Sequence, residues 1–161
     1  MSVNKFKKHI LVVCEDAKNR EIVNGFLLHP SIQSRAIQVL PEVGGWRKVV
    51  ESFEQVHSAE MNRYPNRYVV LILDFDNDLE RRQRIQQAIP DHLSDRVAIF
   101  GSAGEPEDFS KQRIGTTENV GRGLADDCFD GNRLVWNDDL LCHNLPEIDR
   151  VGGTLKTILF D

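Results

Sequence analysis

Apolar and polar positions switch between two periods along the first hundred residues. Two unbroken apolar runs, His9-Ile10-Leu11-Val12-Val13-Cys14 and Tyr68-Val69-Val70-Leu71-Ile72-Leu73, are short and rich in branched side chains. That is the pattern of strands buried on both faces of a parallel sheet. Ala36-Ile37-Gln38-Val39-Leu40 and Arg96-Val97-Ala98-Ile99-Phe100 read as two further strands. Between them the spacing becomes helical. Ile22, Val23, Phe26 and Leu27 predict a helix stopped near His29-Pro30, and Trp46, Val49, Val50, Phe53 and Val56 a second after the turn Pro41–Gly45. Residues 62–66 read as a connecting loop. Ile85, Ala88 and Ile89 mark a third helix, stopped before Pro90. The alternation predicts an α/β fold: a doubly wound, Rossmann-like, mostly parallel sheet of four or five strands with right-handed crossovers.

The remainder is patterned differently. Residues 106–114 read as a short helix, and Val120, Leu124 and Cys128, four apart, as another. Leu134-Val135-Trp136 fits either a fifth strand or the start of a helix. Ile148, Val151, Leu155, Ile158 and Leu159 predict a last helix from near Asn144 and Pro146, weakened by Gly152-Gly153. With no internal repeat, the chain reads as a single domain over 1–161. Residues 9–104 form its α/β core, and 105–161 a helical C-terminal extension on the same core.

Composition narrows the class. The 161 residues are 40% hydrophobic and 28% charged, enough for the core of one globular domain. No apolar stretch approaches the roughly 20 residues of a membrane span. Lys5, Lys7 and Lys8 lead straight into the first strand without a small-residue cleavage site, so no signal peptide is expected. Cys14, Cys128 and Cys142 make no disulfide framework, which points to a reduced, cytoplasmic setting. Cys128, Cys142 and His143 lack zinc-site spacing. Net charge is −5, with acids and bases nearly balanced in the first hundred residues and acids in twofold excess afterwards. No basic stripe tracks a polyanion. A nucleic acid would have to be held by a metal and a local group of arginines.

Candidate chemistry lies where the two apolar runs end. The first ends in Glu15-Asp16, the second in Asp74-Phe75-Asp76-Asn77-Asp78. Parallel strands end together along one edge, and ligands of open α/β sheets bind outside it. Glu15, Asp74 and Asp76 are expected to converge there. Clustered carboxylates repel unless a cation joins them, and oxygen donors suit Mg²⁺ or Mn²⁺. Alternate strand residues share a face, so Asp74 and Asp76 suit one ion. Each acid also has a plainer reading as a helix N-cap, Asp78 especially. Gly101-Ser102-Ala103-Gly104 follows a strand, and Glu105, Glu107 and Asp108 beyond it fit either an extended metal site or a helix start. Neither a Walker nor a dinucleotide-binding glycine motif occurs.

The strand-end Glu in Leu11-Val12-Val13-Cys14-Glu15-Asp16-Ala17-Lys18, Gly44-Gly45 and the Asp-x-Asp of Leu73-Asp74-Phe75-Asp76 together resemble the Toprim fold over residues 9–102. That fold is shared by topoisomerases, bacterial primases, recombination mediators and OLD-type nucleases. The resemblance implies Mg²⁺-dependent phosphodiester chemistry on DNA or RNA, as a nuclease or as part of a nucleic-acid-processing assembly with a protein partner. It implies that Asp74 and Asp76 hold one or two metal ions. Glu15 completes the site or acts as general acid or base, and Asp78 is an outer ligand. Lys18, Arg20, Arg81 and Arg82 would then contact phosphate, their alternative being solvated helix faces. The family pattern continues differently after Glu15, where Asp16-Ala17 replaces a glycine or a serine-proline pair. A topoisomerase tyrosine is not expected among Tyr64 and Tyr68. The alternatives are a domain similar to a response-regulator receiver and a non-catalytic binding module. In the receiver, Asp74 is the phospho-acceptor and Ser102-Ala103 its partner, but the Lys-Pro pair after a fifth strand is missing. Asp76 separates the two readings: Toprim chemistry needs it and a receiver does not.

Overall fold

A computed structural model describes residues 2–78, 80–104 and 115–161. Its centre is a four-stranded, all-parallel sheet of β1 (His9–Cys14), β2 (Ile37–Val39), β3 (Arg67–Asp74) and β4 (Val97–Ser102). The strand order is β2-β1-β3-β4. The α/β prediction holds, with four strands among the described residues. The helices are α1 (Ala17–Phe26), α2 (Trp46–Ser52), α3 (Ser58–Arg63), α4 (Glu80–Gln87), α5 (Thr117–Asp130) and α6 (Leu145–Phe160).

Successive strand residues feed opposite layers. Val13, Val69, Leu71, Leu73, Val97 and Ile99 pack against Val49, Phe53 and Met61 of the α2–α3 segment and Ile85 of α4. Ile10, Val12, Val70, Ala98 and Phe100 face Val23 of α1 and Val151, Ile158 and Leu159 of α6. Burial on both faces explains why these strands lack polar alternation.

Three segments differ from the sequence pattern. The second helix does not end before residue 62. A π turn over Phe53–His57 joins α2 to α3, carrying helical structure to Arg63. Leu134-Val135-Trp136 is neither strand nor helix. The buried Asp127 carboxylate accepts their backbone N–H groups at 3.1, 2.7 and 3.3 Å, fixing the segment as a turn. The last helix runs unbroken through Gly152-Gly153. The expected helix over 106–114 lies outside the described residues, as do Glu105, Glu107 and Asp108.

The C-terminal elements are fastened to the core in two ways. Helix α5 crosses α1 at glycines: a Cβ on Gly121 would stand 1.9 Å from the Ile22 carbonyl oxygen, and one on Gly25 2.1 Å from that of Glu118. Any side chain there separates the helices. Asn144 donates to the Gly101 carbonyl at 2.8 Å and accepts from Gly101 N–H at 3.1 Å, while Glu147 accepts from Ile99 N–H at 2.8 Å. Thus β4, an edge strand, gains on its open side the partners that a further strand would supply.

Among the described residues no helix is long and apolar enough to cross a membrane.

Candidate functional site

In the order β2-β1-β3-β4, chain direction across the sheet reverses between β1 and β3. The crevice outside the carboxyl ends of those two strands is the ligand position of a doubly wound sheet. Glu15 and Asp74 stand there. The β1–β3 register pairs Cys14 with Ile72, and the Glu15 N–H continues the ladder to the Ile72 carbonyl at 2.9 Å. The Glu15 carboxylate then folds across the strand end and accepts from the Asp74 N–H at 2.8 Å.

Asp74 is buried and accepts from the Asn19 side chain at 3.0 Å. Asn19 is held in turn by Asp16, the N-cap of α1. Asp16 accepts from the Asn19 N–H at 2.9 Å, and its own N–H donates to the Asn19 side chain at 3.3 Å, closing a reciprocal capping box. Asp16 therefore serves as a cap while its charge bears on Asp74.

Electrostatics mark this corner. Burial, opposed by the Asn19 hydrogen bond and reinforced by the Asp16 and Glu15 charges, pushes the Asp74 carboxyl up to about 8. Burial also raises Glu15; the Asp74 N–H and Arg81 oppose that shift, and Asp16 and Asp76 add to it. Like charges gathered out of water raise one another's proton affinity.

Asp76 lies just outside. It and Asn77 adopt left-handed backbone conformations, φ 49° and 59°, which Asp and Asn tolerate better than most residues. The turn carries Asp76 into solvent, where it pairs with Arg81 at 3.2 Å. Asp78 pairs with Arg84 at 3.7 Å. Among the described residues no group of three or more His, Cys, Asp or Glu side chains is arranged to hold a metal ion. Glu15 and Asp74 are brought together, with Asp16 beside them, whereas Asp76 and Asp78 face arginines. The donor set still suits Mg²⁺. That ion keeps several waters and is usually held by one or two carboxylates plus substrate phosphate, not by an all-protein cage.

The basic candidates divide. Arg81 donates to the Asp74 carbonyl at 2.7 Å and lies over the Trp46 ring, 4.9 Å from its centroid. Its Nε is buried without a partner. Arg20 pairs with Glu42 at 3.0 Å, and Lys18 pairs with Glu21 at 3.4 Å in the first turn of α1. Arg82 turns away from the edge. It donates to the Ile99 carbonyl at 2.5 Å and to Asn144 at 2.8 Å, and stacks over Phe75 at 4.8 Å. Its expected phosphate contact is replaced by a structural one, which ties α4 to β4 and to the start of α6. His143 is held neutral behind Phe75: burial and Arg82 push it down to about 4.

Sequence reasoning missed Asn19 and Trp46 as parts of this site. The spacing Asp16-x-x-Asn19 is a capping-box signal that was there to read. The sequence spacing places Trp46 only in a helix's apolar stripe. No protein-family model, curated protein or solved structure matches the chain.

Proposed function

We propose that this protein performs Mg²⁺- or Mn²⁺-dependent phosphodiester chemistry on nucleic acid, as a Toprim-like nuclease of the cytoplasm. The observation that supports this most is the Glu15–Asp74 pair, joined through the Asp74 N–H at 2.8 Å at the β1/β3 switch point. Glu15 and Asp74 would hold the ion, with Asp76 joining from the turn. When bound, the ion supplies positive charge to a phosphate oxygen. Glu15, its proton affinity raised by burial, would carry a proton to or from an ester oxygen. Arg81, set against Asp74 and braced on Trp46, is placed to orient a phosphate; Lys18 and Arg20 flank the strand from α1. Asn19 keeps Asp74 facing the crevice.

A panel of labelled DNA and RNA incubated with Mg²⁺ or Mn²⁺ tests this reading. Metal-dependent cleavage is expected. Asp74→Asn, Asp76→Asn and Glu15→Gln should each lower it by about 10²-fold or more, the usual scale for losing a catalytic carboxylate. Cleavage that survives all three changes would contradict the assignment.

One observation favours a second reading, a receiver-like phospho-acceptor: Asp74 and Ser102 are register partners on β3 and β4. Against it, the Lys-Pro pair that follows the fifth strand of a receiver is missing from the sequence. Acetyl phosphate labelling that is lost in Asp74→Asn and retained in Asp76→Asn would favour the receiver.

A further inference from the structure

Between the sheet and α6 lies a cavity of about 410 Å³. An engineered cavity of about 150 Å³ already admits benzene, and ligand pockets span roughly 300–1,000 Å³. Its floor is the β1–β3–β4 face: Val12, Val70, Ile72 and Phe100, with Trp136 and Leu155 as walls. Gly152 and Gly153 of α6 also line it, and a Cβ on Gly153 would meet nothing within 4 Å. Glycine is the weakest helix former after proline, so two in succession inside a 16-residue helix cost stability. Their effect here is to leave the wall open.

The charged groups around this space are mostly engaged. Arg133 is bound to Asp149. Asp127 is saturated by three backbone N–H groups. Cys128 keeps a neutral thiol, pushed up to about 11 by burial. Lys156 lines the cavity and has no carboxylate partner among the described residues. We infer that the cavity binds an elongated apolar molecule ending in a carboxylate, its chain on the sheet and its head at Lys156. The space also reaches Asn19 and Ser102, so its occupant would lie behind the Asp74 corner.

Binding of decanoate and of decanol, each below its aggregation limit and without metal or nucleic acid, tests this independently of any catalytic role. Titration calorimetry should show one saturable site for decanoate. Lys156→Gln should weaken decanoate at least fivefold and leave decanol unchanged. Gly153→Phe, which fills the opening, should abolish both while melting no lower than the parent protein. A brominated decanoate should quench tryptophan emission in the parent and in Trp46→Phe but not in Trp136→Phe. Absence of saturable binding, unchanged affinity in Gly153→Phe, or equal decanoate affinity in Lys156→Gln would overturn the inference.

Discussion

Asp74 is held in two opposing ways. Asn19 steadies its charged form with a hydrogen bond, while burial and two neighbouring acids disfavour that form. The folded protein therefore keeps a proton on Asp74 up to about pH 8, whereas an unfolded aspartate releases it near 3.8. Between those values the native state binds more protons, so stability of the metal-free protein falls as pH rises, by at most about 1.4 kcal/mol per pH unit. Below about pH 6.5 His9, His57 and His143, held neutral by burial, oppose this trend, so urea unfolding at pH 7 and 8 should show the decline, and Asp74→Asn should flatten it. Equal slopes in the two proteins would remove Asp74 as the cause. At this scale the sequence was half legible. An acid at the end of an apolar run announces a sheet edge, which identified Glu15 and Asp74. Which way Asp76 turns depends on a left-handed backbone and on Arg81, five residues along, and strand alternation holds no trace of either.

Elements tell the same story through their contacts. Periodicity located α1, α5 and α6, because each has an apolar stripe. It did not reveal that α1 and α5 touch through glycines, since a missing side chain leaves no hydrophobic mark. Gly121→Ala should push its methyl against the Ile22 carbonyl and destabilise the fold by about 1–3 kcal/mol, the cost of overpacking. Chemical denaturation measures that directly; an unchanged midpoint would mean that the helices part without cost. Asn144 is a second joint invisible in the sequence, because its partner Gly101 is 43 residues away. Asn144→Ala strands buried backbone groups of β4 and should cost about 1–3 kcal/mol. Amide exchange at Gly101 should rise with it, and protection that stays at the parent level would contradict this role. The turn at Leu134–Trp136 leaves no sequence mark for a related reason. Three apolar residues suggest a strand or helix, but Asp127, seven residues upstream of the first, takes up their N–H groups.

For the molecule as a whole, strand order gives the acids their meaning. Strand–helix alternation predicted a parallel sheet but not which strands adjoin. The order β2-β1-β3-β4 sets the reversal between β1 and β3, beside Glu15 and Asp74. The edge is acidic, and the arginines nearest it are engaged with Glu42, Asp74 and Asp76. Under the proposed function a nucleic acid would be brought to these acids by a cation, which makes metal binding the step on which the account depends. Mn²⁺ binding followed by electron paramagnetic resonance measures it without assuming a substrate. The account predicts one saturable site in the parent protein. That site should be lost in Asp74→Asn and retained in Asp91→Asn, which alters an exposed acid just before β4, at the opposite end of the sheet. Equal Mn²⁺ binding by all three proteins, or none by the parent, would contradict it.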